Sequence, residues 1–499
     1  MPISATTSYD VVVVGAGPSG LTTAASLARS GVRVLVIEKH PGLSVFPKAT
    51  GIRPRPMEIM RSWGLEDRIL RQSQKARMTM AIRPILSVPG DEVPIGLPGP
   101  EELRQHSPSR LAVCPQDRLE TILAQHLRDH GGAIRFGTEL VGLRQRNDGV
   151  TVSVRSARGS EAAEVQARYV VGADGAGSRV RDLLGIQVDQ LGSEGNHLAT
   201  LFRADLSPVV SAVPNVLIAL VDPEVEGLMV PSGEGNRWVY DIEWHPETGE
   251  SLADWTSARM AERIRRAAGL PNLEPEIVGM FPWDFGASVA RGQRRGRAFL
   301  VGDAAHRTTP RGATGMNTGI TDGHNLGWKL AWVVRGWAAA SLLDSYADER
   351  AMVGRANAEA SMRTAQGEGT EAALAQDFGV RYASSAILGT DGLVGGRAPH
   401  AWVTVDGRTV STLDLFGDWL TVLAGSTASI SEIAPHVVTL RLGHELTDPD
   451  GTFAAAYGLA GNDAMIVRPD GYVAWRGPVA KVDAAIEELT GLSELVGAA

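Results

Sequence analysis

The segment that decides the fold is Gly296-Arg297-Ala298-Phe299-Leu300-Val301-Gly302-Asp303-Ala304-Ala305-His306, continued by Pro310-Arg311-Gly312-Ala313-Thr314-Gly315-Met316-Asn317-Thr318-Gly319. The apolar run from Ala298 to Val301 predicts a buried strand that leads to an acid, Asp303. A glycine-rich loop follows, and a helix is predicted to begin near Met316. The free N–H groups of a helix start attract negative charge, and a carboxylate accepts hydrogen bonds from hydroxyl groups. The pattern suits a flavin and its ribityl chain, although an ordinary strand–loop–helix crossover is the alternative.

Composition excludes several classes of function. The chain has 499 residues, 43% hydrophobic and 21% charged, which is typical of a globular protein with two or three domains. A formal net charge of −9 gives no support for a nucleic-acid partner. One cysteine excludes an internal disulfide and any Cys-x-x-Cys pair, and no metal is expected.

Membrane association and export are also not expected. The longest apolar run, Leu330 to Leu343, contains Arg335 and is too short to cross a bilayer. The N-terminal stretch Met1 to Thr7 lacks the basic segment of a signal peptide. A cytoplasmic location is therefore expected.

The N-terminal region contains a dinucleotide-binding pattern. Asp10 to Val14 predicts a buried parallel strand, and Gly15-Ala16-Gly17-Pro18-Ser19-Gly20 then matches G-x-G-x-x-G ahead of an alanine-rich helix. In this motif the first glycine makes a tight turn, the second admits a pyrophosphate, and the third lets helix and strand pack. Glu38 ends the next strand, where an acid accepts from a ribose hydroxyl.

A second acid at a strand end repeats the arrangement of Asp303. The strand Tyr169 to Gly172 is followed by Ala173-Asp174-Gly175-Ala176-Gly177-Ser178-Arg179. Taken alone, Asp174 is equally an ordinary helix cap.

Basic and amide side chains lie between these motifs. Lys39 and Lys48, and Arg53 within Lys48-Ala49-Thr50-Gly51-Ile52-Arg53-Pro54-Arg55, either reach the cofactor or substrate or are solvated loop charges. Gln116 starts a predicted helix that runs to Leu127.

The middle of the chain, Asn196 to Phe285, changes to longer alternating strands and predicts an inserted sheet domain. In Arg237 to Trp244, the side chains of Trp238, Tyr240, Ile242 and Trp244 share one face. That face either walls a ligand cavity or packs on a helix. A helix is predicted from Ser251 to Ala268, with a capping box of Ser251 and Asp254.

Two helices, Leu326 to Ala338 and Leu342 to Ala358, are predicted to close the first domain. A glycine- and alanine-rich linker, about 365–396, leads to a last domain. Its predicted elements are strands at Trp402–Val405, Leu420–Ala424 and Met465–Val467, a hairpin turn at Pro469-Asp470-Gly471, and a helix from Val482 to Leu489.

Together these motifs resemble the class A FAD-dependent aromatic hydroxylases, of the phenol hydroxylase and aromatic polyketide hydroxylase type. The most specific matches are Gly302-Asp303-Ala304-Ala305-His306, Gly315-Met316-Asn317-Thr318-Gly319-Ile320 and Asn325-Leu326-Gly327-Trp328-Lys329-Leu330. The resemblance implies an α/β fold: a Rossmann-like FAD-binding domain with an inserted antiparallel-sheet substrate domain, and a thioredoxin-like C-terminal domain. The implied bounds are 1–190, with an excursion at 71–110 towards the substrate domain, then 191–290, 291–380 and 396–499. Without Cys-x-x-Cys, the last domain is expected to be redox-silent.

The resemblance also implies roles for individual residues. Asp303 would hold the ribityl chain, Glu38 the adenosine ribose, Gln116 the middle of FAD, and Asp174 would lie where nicotinamide cofactor and flavin pyrophosphate meet. The full set of cofactor-binding candidates is Gly15, Gly17, Pro18, Ser19, Gly20, Glu38, Lys39, Lys48, Gln116, Asp174, Gly302, Asp303, Pro310, Gly312, Gly315, Met316 and Asn317. The catalytic candidates are Arg53, Tyr240, His306 and Pro310, with Asp284 as a further candidate base. Thr50 stands where phenol hydroxylases carry an aspartate, which questions their way of activating a phenol.

The implied reaction is hydroxylation of an aromatic, polycyclic polyketide-type substrate. NADPH or NADH reduces FAD, O2 adds to the flavin, and the C4a-hydroperoxide transfers one oxygen atom to the ring. A single complete G-x-G-x-x-G indicates that the nicotinamide cofactor binds transiently. Baeyer–Villiger oxidation or epoxidation is the alternative within the family, and a flavin-loaded, non-catalytic binding factor is the alternative outside it. A flavin halogenase is not expected, because Trp-x-Trp-x-Ile-Pro is absent. The protein is expected to be a monomer or homodimer.

Overall fold

The computed structural model describes residues 8–157, 159, 162–363, 369–390, 392–430 and 433–492. The N-terminal stretch used for the signal-peptide prediction lies outside these residues, as does part of the predicted linker at 364–368 and 391. No helix of the described ranges is both long and apolar enough to cross a membrane.

The strands, in chain order, are β1 (Ser8–Val14), β2 (Val34–Ile37), β3 (Gly51–Ile52), β4 (Arg77–Arg83), β5 (Asp91–Pro94), β6 (Ala112–Val113), β7 (Ala133–Arg135), β8 (Thr138–Gln145), β9 (Val150–Ser156), β10 (Ala162–Gly172), β11 (Val188–Arg203), β12 (Asn215–Leu220), β13 (Gly227–Pro231), β14 (Arg237–Trp244), β15 (Glu276–Ala290), β16 (Arg294–Arg295), β17 (Ala298–Leu300), β18 (His306–Arg307), β19 (Trp402–Val405), β20 (Arg408–Ser411), β21 (Leu420–Ala424), β22 (Val437–Arg441), β23 (Leu446–Thr447), β24 (Asp463–Val467) and β25 (Val473–Pro478).

The α-helices are α1 (Pro18–Arg29), α2 (Pro54–Ser62), α3 (Glu66–Gln72), α4 (Pro100–Arg104), α5 (Gln116–Asp129), α6 (Arg179–Leu183), α7 (Ser257–Ala268), α8 (Gly315–Arg335), α9 (Asp344–Arg363), α10 (Gly369–Phe378), α11 (Thr452–Tyr457) and α12 (Val482–Thr490).

The first sheet has the order β16-β17-β10-β1-β2-β7, and its central strands β17, β10, β1, β2 and β7 are parallel. β2, β17 and the last four residues of β1 are buried because helices cover one face and the β8–β9 meander covers the other. The carboxyl ends of β1, β10 and β17 therefore meet at one edge, where ligands bind in open α/β sheets. This edge carries the sequence-predicted acids.

The second sheet has the order β18-β15-β11-β14-β13-β12-β4-β5 and is mostly antiparallel. Helix α7 covers one of its faces, where Trp238, Tyr240 and Ile242 pack with Trp255 and Met260. The aromatic face of β14 therefore packs on a helix and does not wall a cavity. The predicted α/β fold class with an inserted sheet is confirmed.

One predicted helix boundary in this domain is wrong. Residues Ser251 and Asp254 do form a capping box, but it closes only a short 3-10 turn at Leu252–Asp254. The backbone at Trp255 leaves the helical region (φ −87°, ψ 74°), and α7 starts afresh at Ser257 with the Thr256 hydroxyl as its cap.

The helices after the decisive segment also differ from prediction. α8 is one continuous helix of 21 residues from Gly315, whereas the sequence suggested a separate element from Leu326. Helix α10 forms within the predicted linker.

The C-terminal sheet has the order β22-β21-β24-β25, with β21 and β22 parallel and the other pairs antiparallel. This is the thioredoxin-like order, and the prediction is confirmed. The hairpin between β24 and β25 turns at Asp470 and Gly471, and the φ of Gly471 is +75°.

Candidate functional site

The G-x-G-x-x-G turn after β1 leaves an open cradle at its middle glycine. A β-carbon on Gly15 would lie 2.3 Å from the carbonyl oxygen of Ala173, and one on Gly20 would lie 2.1 Å from that of Gly15. A β-carbon on Gly17 would meet nothing within 4 Å. The outer glycines are therefore required for packing, whereas Gly17 faces free space in front of the α1 N-terminus. Pro18 and Ser19 form the first turn of that helix, whose N–H groups suit a pyrophosphate.

Glu38 is fixed beside this turn by two backbone donors. Its Oε2 accepts from the N–H of Ala16 and its Oε1 from the N–H of His40, both at 2.9 Å. Each oxygen keeps a free lone pair for a ribose hydroxyl. Lys39 is adjacent and exposed.

Asp303 lies at the end of β17, in the short 3-10 turn Gly302–Ala304. Gly302 has a φ of +59°, and a β-carbon there would lie 2.3 Å from the hydroxyl oxygen of Ser19. The Asp303 side chain is solvent-accessible and its carboxylate has no hydrogen-bond partner among the described residues. Desolvation by the surrounding protein nevertheless raises its pKa. An unpartnered carboxylate in such a cleft is suited to hydroxyl donors from a ligand.

A buried ionic group behind the loop holds Asp303 in place. Asp322, on α8, accepts from the backbone N–H of Gly302 (3.0 Å), from His306 Nε2 (2.6 Å) and from Arg350 Nε (2.7 Å). Burial opposes its ionisation, but His306 and Arg350 outweigh that effect and lower the pKa of Asp322 to about 2. The His306 side chain is fully buried. It supports the loop from behind and does not face the cleft.

The start of α8 is the second anion-binding feature of the cleft. The loop before it contains Gly312 (φ +73°) and Ala313 (φ +51°), and no side chain caps the helix that follows at Gly315. The N–H groups of its first turn are therefore available to a ligand. Pro310 is exposed and Met316 is half-buried at this edge.

Asn317 and Arg53 hold this loop from the protein side. The Asn317 amide accepts from the N–H of Arg53 (2.9 Å) and donates to the carbonyls of Gly51 (2.9 Å) and Ala313 (2.7 Å). The buried Arg53 guanidinium pairs with Asp377 on α10 (2.8 Å) and donates to the Gly312 carbonyl (2.9 Å). The structure thus places Arg53 behind the loop.

Gln116 contacts the segment that follows Lys48, because its backbone N–H donates to the carbonyl of Ala49 (2.8 Å). The Gln116 amide donates to Glu120 (2.7 Å), whose pKa burial raises to about 7. Lys48 is exposed and unpaired among the described residues, and its charge lowers the pKa of both Asp303 and Glu120 against that desolvation. The Lys48 ammonium group therefore acts on both carboxylates.

Asp174 makes the contacts of a helix cap. Its carboxylate accepts from the hydroxyl of Ser178 and the N–H of Val180, at the start of α6. Burial raises its pKa. It remains half-exposed beside Gly15, so the capping role and a place at the cleft edge coexist.

The remaining candidate bases are engaged elsewhere. Tyr240 is buried on the α7 side of the second sheet and donates its hydroxyl proton to the carbonyl of Val225. Asp284 forms an ion pair with Arg307 and accepts from the Ser193 hydroxyl.

The opposite face of that sheet carries polar residues that were not among the candidates predicted from the sequence. His197 on β11, Asp241 on β14 and Trp283 on β15 form one hydrogen-bonded group there. Phe46, from the loop between β2 and β3, packs on the same face with Val239. The available signal was Asp241, which follows Tyr240 in β14 and which the alternation of the strand turns to the face opposite Tyr240.

These residues fit FAD. Gly17 leaves the space that a pyrophosphate needs, Glu38 and Asp303 have free acceptor capacity at the ends of β2 and β17, and the uncapped α8 start provides N–H donors. In the described part of the chain, no cluster of His, Cys, Asp and Glu side chains is arranged to hold a metal ion.

Comparison with known proteins shows the family to which the chain belongs. Residues 8–361 match the family model of the FAD binding domain, and residues 391–499 match that of the aromatic-ring hydroxylase C-terminal domain. The chain is 39% identical to aklavinone 12-hydroxylase of Streptomyces purpurascens, covering 95% of this chain and 96% of that protein. It is 37% identical to a putative polyketide hydroxylase of Streptomyces halstedii, covering 93% of each. A crystal structure of aklavinone-11 hydroxylase with FAD and aklavinone superimposes with a TM-score of 0.87 at 34% identity, covering 97% of this chain and 99% of that one.

Proposed function

Since the chain belongs to the FAD-dependent aromatic-ring hydroxylases and is an FAD-dependent monooxygenase, we propose that it hydroxylates an aromatic ring of a polycyclic polyketide. The observation that carries this substrate class is the similarity, along nearly the whole of both chains, to proteins named as aklavinone and polyketide hydroxylases. The co-substrates are O2 and NADPH or NADH. A cytoplasmic location would supply the nicotinamide cofactor, and the active unit is a monomer or homodimer.

FAD would be held at the carboxyl edge of the first sheet. Glu38 would accept from the adenosine ribose, and the α1 N-terminus with Gly17 would receive the pyrophosphate. Asp303 would accept from the ribityl hydroxyls, and the N–H groups at the α8 N-terminus would be available to the flavin ring. When bound, the flavin activates O2 and supplies the oxygen atom that enters the substrate.

The protein's contribution is positioning and charge stabilisation. The free N–H groups at Gly315 and Met316 would stabilise negative charge on a bound flavin ring, because they are preorganised and need no reorientation. Arg53 and His306 act through the loops that they hold, and exposed Pro310 contributes the rim of the cleft. With only one dinucleotide-binding motif, the nicotinamide cofactor binds transiently near Asp174.

The substrate lies between this edge and the face of the second sheet that α7 does not cover, here called the α7-free face. On that face Phe46, Ala199, Leu201 and Val239 form a buried apolar cluster, and half-buried Trp283 packs against it and contacts the ring of Phe285. Half-buried aromatic side chains are suited to fused aromatic rings and help to exclude water from the reacting atoms.

The test is a substrate screen by mass spectrometry. Purified protein with FAD, NADPH and O2 is incubated with polycyclic polyketide aglycones and, in parallel, with single-ring phenols. We expect the aglycones to gain one oxygen atom as a phenolic hydroxyl, with substrate-stimulated NADPH oxidation. Oxygen gain by single-ring phenols alone contradicts the substrate class, and ring-expanded or epoxidised products contradict hydroxylation.

A further inference from the structure

A histidine–aspartate pair lies on the α7-free face of the second sheet. The Nδ1 atom of His197 is 2.7 Å from Oδ2 of Asp241, and the indole N–H of Trp283 donates to Oδ1 of the same carboxylate at 2.8 Å. A carboxylate only accepts, so Nδ1 of His197 carries a proton in this pair. This hydrogen bond fixes the tautomer, and Nε2 is left as an acceptor with a free lone pair.

The acceptor nitrogen is available to a ligand. Nε2 of His197 has no hydrogen-bond partner among the described residues, and the side chain is 18% exposed. The ring is flanked by aromatic walls: its centroid is 4.9 Å from that of Trp283 and 5.1 Å from that of Phe285. A polar atom within an aromatic wall is suited to a flat ligand that carries a hydroxyl group.

The pair also lies close to the elements that hold the cofactor. The guanidinium of Arg311, in the loop before α8, stacks over Phe285 with its carbon 5.0 Å from the ring centroid, and it pairs with Glu194. Phe46, on the loop that also bears Lys48, contacts Phe281 of β15 at a centroid distance of 4.2 Å. The loop before α8 therefore contacts Phe285, and the loop that bears Lys48 contacts Phe281. These two aromatic residues of β15 lie on either side of Trp283.

We propose that His197, oriented by Asp241, is the general base that accepts the phenolic proton of the aromatic substrate, an inference that rests on the proposed function. The substrate O–H bond breaks, an N–H bond forms at Nε2, and the electron pair stays on the oxygen. The resulting phenolate donates electron density into the ring, which makes the ring carbon more reactive towards an electrophilic oxygen. Asp241 stabilises the imidazolium, and the proton leaves to solvent after turnover.

The test reads the protonation state of a bound phenol without any turnover. Emodin, a trihydroxyanthraquinone, absorbs at longer wavelength as a phenolate than as a phenol. It is titrated into FAD-loaded protein without NADPH, at a pH where free emodin is the neutral phenol. We expect wild-type protein to bind emodin with a phenolate band.

Two variants change the pair in different ways. In His197→Asn an amide N–H can still donate to Asp241, but no atom replaces Nε2, so emodin is expected to bind without the phenolate band. In Asp241→Asn the carboxylate no longer fixes the tautomer, while the amide oxygen can still accept from Trp283, and loss of the band is again expected. The matched control is His245→Asn, because His245 makes the same kind of pair with Glu247 (2.9 Å) at an exposed site. This control is expected to keep the band.

FAD content and thermal midpoint are measured for each protein, because a variant that fails to fold would show a low FAD content or a low thermal midpoint. With a hydroxylated aglycone as substrate, loss of the base is expected to lower kcat by about 100-fold or more. Absence of the band with wild-type protein at saturating emodin, or its persistence in both folded variants, overturns the assignment. Failure of the proposed function is a separate outcome, seen as the absence of oxygenated product when the phenolate band is present.

Discussion

Two aspartates on either side of one backbone loop have opposite electrostatic situations. Asp322 has its carboxylate fully paired, and its pKa is about 2. Asp303 lies in the turn that Asp322 holds, has no partner among the described residues, and has a raised pKa. A buried charge is tolerated only when it is paired, as that of Asp322 is. The carboxylate of Asp303 is solvent-accessible and unpaired, so its acceptor capacity is free for a ligand.

The first prediction concerns Asp303. Asp303→Ala is expected to weaken FAD binding by about 10- to 100-fold, because a charged acceptor for the ribityl hydroxyls is lost. In the apo-protein the same change is expected to raise the thermal midpoint at neutral pH. The sign follows from the raised pKa, since the ionised form at neutral pH disfavours the folded state. Flavin fluorescence quenching and thermal melts of apo-protein measure the two effects, and a lower apo midpoint would contradict the account.

The second prediction concerns Asp322. Asp322→Asn is expected to lower the free energy of unfolding by about 3–5 kcal/mol, because His306 and Arg350 lose a buried partner. Since the folded pKa of about 2 lies below the unfolded value of about 3.9, this stabilisation is present above pH 4 and declines as the pH falls towards 2. Urea titrations at neutral pH provide the measurement, with Asp303→Asn as the control in the same loop. Equal unfolding free energies for wild type and Asp322→Asn would refute it.

At the scale of the element, the turn after β1 separates packing from ligand binding. Gly20→Ala places a methyl group against the Gly15 carbonyl, and a loss of about 1–3 kcal/mol of stability is expected. Gly17→Ala meets no protein atom within 4 Å, so stability should be unchanged. If Gly17 faces the pyrophosphate as proposed, the added methyl group enters that space, and FAD affinity should fall by about tenfold or more. Chemical denaturation and FAD titration of both variants test this; equal loss of stability in the two would contradict it.

Strands whose residues alternate in polarity could be predicted from the sequence. The elements that cover their faces could not. Strand β14 lies at Arg237–Trp244 as predicted. Periodicity showed that Tyr240 and Trp238 share a face, yet it does not say whether a helix or a cleft covers that face. The start of α7 was misplaced because a capping box also stabilises a single 3-10 turn. Residue periodicity and capping motifs therefore predict that a strand or helix forms, but they do not predict which other element packs against it.

At the scale of the whole molecule, a buried ionic group joins the C-terminal domain to the helices behind the flavin loop. Arg468 binds both oxygens of Glu349 on α9 (2.6 and 2.8 Å), and Glu349 also pairs with Lys329 on α8 (2.8 Å). Asn325 on α8 donates to Asp470, the residue at the C-terminal hairpin turn. The C-terminal domain is thus anchored to the two helices that position Asp322.

The fourth prediction follows from this anchor. Arg468→Ala is expected to cost about 3–5 kcal/mol, because it leaves Glu349 and Asp470 buried with fewer partners. The matched control is Arg441→Ala, which breaks an exposed pair with Glu445 in the same domain and should cost less than about 1 kcal/mol. Denaturant unfolding measures both variants. Similar losses in the two variants would contradict the larger contribution to stability that is expected of the buried group.

The cofactor edge was predictable from sequence because each of its parts is local: a glycine turn, an acid at a strand end, or a helix start. His197, Asp241 and Trp283 come from three strands separated by dozens of residues, and only the pairing of β11 with β14 and β15 brings them together. Arg53 and His306 were recognised by residue type, but the tertiary fold turns both behind the loops. The histidine–aspartate pair thus depends on strand pairing between distant segments, which the sequence alone does not reveal.

The measurement that tests the central claim most directly is the origin of the oxygen atom in the product. The substrate is a polycyclic polyketide aglycone that the screen identifies. It is incubated with FAD-loaded protein and NADPH under ¹⁸O2 in ordinary water, and the mass of the product is measured by mass spectrometry. We predict one ¹⁸O atom in each product molecule, with one NADPH consumed per coupled turnover. A product whose new oxygen comes from water, or oxygenation that proceeds equally without FAD, would contradict the account.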